Sequence, residues 1–138
     1  MNELKRGVYR GDGETFWTPE RCYITELLNT EQNAAVSVAL CRVEVGETTQ
    51  LHALQVDERY IVQSGTGLVE LDQRDVFAIT EGDCVLIPAG VAQRVRNTSD
   101  QPLEFLCICT PRFLPSHYVD LETGRELPGD GQIRLLES

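Results

Sequence analysis

Six side chains with chemical reach recur at spacings that an extended chain gathers onto shared faces: His52, Glu58, Tyr60, Gln93, Cys107 and Cys109. Alternate residues of a strand point the same way. His52 therefore aligns with Leu54, Glu58 with Tyr60 and Val62, Gln93 with Val95, and Phe105 with Cys107 and Cys109. A carboxylate such as Glu58 can move a proton, and a phenol such as Tyr60 can serve as an acid or bind a ligand. Cys107 and Cys109, two apart on one face, could both reach a cavity and with His52 make a soft-metal site. Plainer readings stand beside each of these. A buried Tyr usually finds a hydrogen-bond partner, and a buried free Cys behaves as a small apolar side chain. His52, Glu58 and Gln93 can also simply satisfy one another in a buried pocket. A core that served no ligand would, however, gain stability by becoming apolar, because buried unpaired charge is costly. The polar trio is therefore read as functional.

The elements that must position these groups are strands. Short apolar runs alternate with turn residues, as in an all-β sandwich or barrel. Residues 35–45, 50–56, 59–63, 68–72, 76–80, 84–87, 91–96 and 103–110 are expected strands, with Ser64-Gly65-Thr66-Gly67, Glu81-Gly82-Asp83 and Pro88-Ala89-Gly90 as turns. Pro and Gly fall between the runs, where they do not interrupt a ladder. Thr18-Pro19-Glu20 has the form of a helix start, yet Cys22-Tyr23-Ile24-Thr25 is rich in strand formers, so an extended N-terminal segment is expected. A short strand is expected near residues 132–136. The division is an N-terminal extension (1–35) packing on the barrel or on a partner, a barrel (36–113) and a C-terminal tail (114–138).

A chain of 138 residues can bury a core without disulfides or structural metal. Its net charge of −10 argues against nucleic acid and against an anionic membrane surface. No stretch approaches the length of a membrane span, and the first six residues lack the apolar run of a secretory signal. The five cysteines, odd in number and without a CxxC pair, fit the same cytoplasmic expectation. Asn97-Thr98-Ser99 matches a glycosylation sequon by accident.

Two spaced patterns are more specific than any of this. Gly46, five residues, His52-Ala53-Leu54, three residues, Glu58, six residues, Gly65 is the first. Gly82, five residues, Pro88-Ala89-Gly90, two residues, Gln93, three residues, Asn97 is the second. Together they resemble the two signature motifs of the cupin superfamily. The resemblance implies a single cupin barrel, a double-stranded β-helix or jelly roll. The runs Thr49 to Leu54 with Glu58-Arg59-Tyr60, Ile87 to Arg94, and Leu106 to Phe113 are further similar to a group of small bacterial cupins with an altered site and no settled reaction.

The same resemblance implies a metal site from which this chain departs. Cupins bind one ion with two histidines and a glutamate of the first motif and a histidine of the second. Here His52 and Glu58 keep two of those positions, while Leu54 and Gln93 replace the other histidines. A His52/Glu58/Gln93 set would hold one divalent ion (zinc, nickel, manganese or iron) weakly, or none, because an amide oxygen is a poorer donor than imidazole.

Three functions follow as expectations. The first is a binding module that takes a small polar or carboxylate-bearing molecule on His52, Tyr60, Gln93 and Cys109. The second is a metal-dependent enzyme of isomerase, lyase or dioxygenase type, with Glu58 and Tyr60 as catalytic groups. The third is a metal-free sugar-processing enzyme with His52 as base and Tyr60 as acid. The resemblance also implies a homodimer, for which the outward Leu106 and Ile108 are a candidate contact.

Overall fold

The computed structural model describes residues 4–122. Its strands are β1 (Thr15–Thr18), β2 (Cys22–Leu28), β3 (Ser37–Val43), β4 (His52–Leu54), β5 (Asp57–Ser64), β6 (Thr66–Leu71), β7 (Asp75–Thr80), β8 (Cys84–Ile87), β9 (Gln93–Arg96), β10 (Leu103–Thr110) and β11 (Tyr118–Asp120). They form two antiparallel sheets, one in the order β1-β2-β3-β10-β5-β8 and one in the order β11-β4-β9-β6-β7. The fold is all-β, as the alternation of apolar runs and turns predicts.

Alternation places the core. On β5, Glu58, Tyr60 and Val62 are buried while Arg59 and Ile61 are only half-buried. The inward side chains of both sheets meet in one cluster, with Val43, Tyr60, Val62 and Phe105 from the first sheet and Val69, Ile79 and Val95 from the second. Val43, Val69, Val95 and Leu103 are fully buried. Removing an aliphatic side chain of that kind from water stabilises the fold by about 1.5–3 kcal/mol. Leu106 and Ile108 lie half-buried on the other face of β10.

The expected strands at 84–87 and 103–110 form over those same residues. The expected turn at residues 64–67 is tighter than the composition suggests. β5 runs to Ser64 and β6 begins at Thr66, so only Gly65 separates them. Gly65 has φ +89°, and a Cβ there would lie 2.5 Å from the Pro102 carbonyl oxygen. Gly67 lies inside β6 because a Cβ would meet the Arg96 carbonyl oxygen at 2.6 Å. Glycine here serves a close approach of backbones rather than a break in the strand.

Where helical and strand signals compete, the chain is strand. Thr18 accepts a hydrogen bond from the Glu20 amide at 3.2 Å, and the Arg21 amide bonds back to the Thr18 carbonyl at 3.0 Å. This closes a turn between β1 and β2 rather than opening a helix, and β2 then pairs with β3. Beyond β10 the chain makes a short 3-10 turn over Pro115–His117, and β11 then pairs with β4. Glu122 fixes this return by accepting from Arg21 at 2.9 Å and from the Leu51 amide at 2.7 Å. The strand expected near residues 132–136 lies outside the described residues. Asn97 is buried, donating to the Val43 and Gln101 carbonyls, so its role is to tie loops together. Among the described residues no helix is long and apolar enough to cross a membrane.

Candidate functional site

The barrel encloses a cavity of about 160 Å³. Its lining comes from β1, β2, β3, β4, β5 and β10, joined by Glu20, Phe113 and Tyr118. Apolar residues dominate: Ile24, Val38, Ala39, Leu54, Phe105 and Phe113. Among these stand the polar groups His52, Glu58, Tyr60, Glu20 and Tyr118. No Lys or Arg is among the residues lining it.

His52 and Glu58 reach the cavity because they lie on the inward faces of β4 and β5. The His52 Nδ1 is 2.7 Å from the Gln50 carbonyl oxygen. A carbonyl only accepts, so Nδ1 carries the proton and Nε2 keeps a lone pair. Burial lowers the pKa of His52, against the Gln50 bond and the distant charges of Glu122 and Asp120, which raise it. The ring is also fixed by stacking on Tyr118, at 4.7 Å between centroids and 13° between planes. Tyr118 in turn donates its hydroxyl to the Gln50 side chain.

Gln93 sits opposite His52 in the β4–β9 pair. It is fully buried and is not among the residues lining the cavity. Both ends of its carboxamide are engaged. The Tyr60 hydroxyl donates to its Oε1, and its Nε2 donates to Glu58 Oε1 at 2.9 Å. Gln93 thus touches the cavity only through Tyr60 and Glu58. Tyr60 is buried against Phe105, with ring centroids 4.4 Å apart, and burial holds its pKa well above the ordinary phenol value.

Burial also pushes the Glu58 carboxyl up to about 7. The Gln93 bond pulls it back, Glu20 pushes it further, and the Cys107 and Cys109 thiols lie within hydrogen-bonding reach. Glu20 is raised to about 7 by burial alone. The thiols are protonated at neutral pH. A hydrogen bond from Cys41 lowers Cys107, but burial and the nearby carboxylate Glu58 bring it up to about 11. Cys109 is raised chiefly by burial. Cys41 is raised by its hydrogen bonds to Cys107 and Cys22 and by burial.

Of the residues expected from the sequence, His52, Glu58, Tyr60, Cys107 and Cys109 line one cavity, and Gln93 anchors two of them from behind. Arg94 faces outward and pairs with Glu70 at 3.0 Å. His117 lies in the 3-10 turn, away from the cavity lining, where its Nδ1 accepts from the Leu114 amide. Sequence reasoning missed Glu20, Gln50 and Tyr118. Glu20 sits in a turn, where no periodicity betrays which way a side chain faces. Tyr118 reaches the site from beyond both motifs.

Against known proteins, residues 39–109 match the family model described as a cupin domain. The chain belongs to the cupin family. It is 32% identical over 99 residues to the uncharacterized protein MJ1618 of Methanocaldococcus jannaschii, covering 70% of this chain and 78% of that one. Among solved structures this cupin superposes on the polyketide cyclase RemF from Streptomyces resistomycificus with a TM-score of 0.70 and 18% identity, covering 90% of each chain. It superposes on oxalate decarboxylase from Bacillus subtilis with a TM-score of 0.70 and 16% identity, over 84% of this chain and 33% of that one. At such identities the likeness is one of fold.

Cupins often hold a divalent ion, and the donors present here do not fit one. Leu54 has no donor atom, and the Gln93 amide oxygen is occupied by the Tyr60 hydroxyl. His52 can offer only Nε2. Of the positions at which a cupin holds its ion, one imidazole nitrogen and one carboxylate remain, short of the three or more protein donors that catalytic zinc sites use. Among the described residues no three His, Cys, Asp or Glu side chains come together as a metal-binding group.

Proposed function

We propose that this cupin is a small-molecule-binding protein whose barrel takes one organic ligand carrying no negative charge, without a resident metal. The observation that carries this reading is the cavity lining, in which Glu20 and Glu58 stand in an apolar wall with no Lys or Arg. A carboxylate-bearing ligand would bring a like charge into a poorly solvated space, at a cost that the site does not offset. Oxalate, the substrate named for one structural neighbour, is therefore a poor match. A cavity of about 160 Å³ suits one aromatic ring with a short substituent, since benzene enters an engineered protein cavity of about 150 Å³.

Within that cavity the residues have distinct roles. His52 Nε2 accepts a hydrogen bond, Glu58 accepts or donates according to its protonation, and Phe105, Phe113 and Tyr118 supply aromatic faces. Tyr60 and Gln93 position Glu58. The test is an NMR titration that follows the His52 ring with benzyl alcohol and with benzoate. Saturable shifts with the alcohol and none with benzoate are expected, and the alcohol's shifts should vanish in a Leu54→Trp variant that fills the cavity. Tighter binding of benzoate would reject the reading.

A further inference from the structure

Two carboxylates face one cavity, and the protein supplies neither with a cation. Glu58 is 6% exposed, and its one strong hydrogen bond comes from the neutral Gln93 amide. Glu20 lines the same space, and its carboxylate has no hydrogen-bond or ion-pair partner among the described residues. Arg21, next in sequence, is turned away, with its guanidinium on Glu122 and on the Thr48 carbonyl. Desolvated carboxylates without a partner are costly, and a protein that keeps them forfeits stability.

A second, independent observation points the same way. His52 is 5% exposed and lines this cavity, and its Nε2 lone pair has no partner among the described residues. Its proton sits on the other nitrogen, committed to the Gln50 carbonyl. The two carboxylates and His52 Nε2 thus present hydrogen-bond acceptors, the Tyr60 and Tyr118 hydroxyls are committed to Gln93 and Gln50, and the lining includes the aromatic rings of Phe105, Phe113 and Tyr118. An alkylammonium group has three N–H donors and no acceptor. Aromatic faces attract such a cation when it is desolvated.

We propose that the occupant of this cavity is a small organic cation, a primary ammonium on a compact aromatic or aliphatic body, its charge balanced by the Glu20 and Glu58 carboxylates in a cavity that His52 Nε2 also lines. This rests on the reading of the barrel as a small-molecule site and narrows its ligand class. The empty cavity would hold a proton in place of the cation, since burial pushes both carboxyl groups up to about 7. Ligand binding then expels that proton. The other titratable groups lining the cavity are the exposed Glu26, the phenols Tyr60 and Tyr118, and the Cys22, Cys41, Cys107 and Cys109 thiols. Tyr60, Tyr118, Cys41, Cys107 and Cys109 are held neutral by pKa values raised above their ordinary range. Asp120 and Glu122 act on His52 from outside the lining, and both favour its charged form.

The experiment is calorimetric titration with benzylammonium, benzyl alcohol and benzoate at pH 6 and pH 8, in buffers of different ionisation enthalpy. Benzylammonium should bind at least about tenfold more tightly than the alcohol at pH 8, a difference of about 1.4 kcal/mol. That preference should shrink at pH 6, and binding near pH 7 should release protons to the buffer. Glu58→Gln, and independently Glu20→Gln, should each lower the preference for benzylammonium over the alcohol. Alcohol binding as tight as ammonium binding at pH 8 would overturn the inference and leave the small-molecule reading standing. Binding of neither compound would overturn both.

Discussion

Gln93 Nε2 lies 2.9 Å from Glu58 Oε1, and this hydrogen bond crosses from the five-stranded sheet to the six-stranded one. Its direction is set on the far side of the amide, where the Tyr60 hydroxyl claims the carbonyl oxygen. The position that would carry a histidine ligand in a metal-bearing cupin here carries a staple between sheets. Glu58 is thereby held at the cavity wall with one oxygen engaged and its charge only partly compensated.

The staple has a stability signature. Tyr60→Phe strips the donor from a buried amide oxygen and should destabilise the protein by about 1–3 kcal/mol, the cost of leaving such a group unsatisfied. Gln93→Leu leaves both the Tyr60 hydroxyl and the Glu58 carboxyl without their partner, so it should cost more. Urea denaturation checks the order. Midpoints unchanged in both variants would contradict the network.

The raised carboxyl groups make stability depend on pH in a defined sense. Glu58 in the native state titrates at about 7 against an unperturbed value of 4.5. Between those values the folded protein binds the proton more tightly than the unfolded chain, so stability falls as pH rises through the window. The stabilisation is complete below about pH 4.5 and lost above about 7, and for Glu58 it amounts to roughly 3 kcal/mol. Glu20 acts in the same direction. His52 acts oppositely: its lowered pKa contributes stability above the unfolded value of 6.5, which is lost as pH falls through its folded pKa. Denaturation at pH 6.5 and pH 8 should show the parent weaker at pH 8, and Glu58→Gln should flatten that difference. An equal slope in the variant would count against a buried, titrating Glu58.

The cysteines should divide into two classes. Cys84 is exposed, while Cys22, Cys41 and Cys109 are buried and Cys107 lines the cavity. Thiolates are the reactive form, and Cys41, Cys107 and Cys109 all have raised pKa values. A disulfide reagent at pH 7.5 should therefore titrate one thiol quickly in the native protein, and Cys84→Ser should abolish that fast phase. A second fast thiol would mean that the cavity is more open, or its thiols more acidic, than described.

Much of this was legible in the sequence because strands leave a period-two record. The alternation around Glu58, Tyr60 and Val62, and around Phe105, Cys107 and Cys109, assigned those side chains to one interior face. The motif spacing grouped His52, Glu58 and Gln93 as one set. What was not legible has physical causes. Gln93 is neutral and polar, so its type alone does not distinguish a ligand from an inter-sheet anchor; the position of the Tyr60 hydroxyl decides that. Glu20 lies in the turn closed by Thr18, where side-chain direction has no period. Tyr118 stacks on His52 only because Glu122 pins the returning chain to Arg21 and to the Leu51 amide, and such long-range closure leaves no local pattern. Gly67 read as a turn residue because its true reason, the nearby Arg96 carbonyl, is distant in sequence.

If this barrel is an organic-ligand cavity rather than a metal centre, the parent protein should not retain metal. Untagged parent protein and the Leu54→His/Gln93→His double variant would be exposed to zinc, nickel, manganese and iron, desalted, and measured by elemental analysis. Near-stoichiometric metal is expected in the double variant, which has the three imidazoles and the carboxylate, and only traces in the parent. Near-stoichiometric metal in the parent, lost in His52→Ala, would contradict the organic-ligand reading.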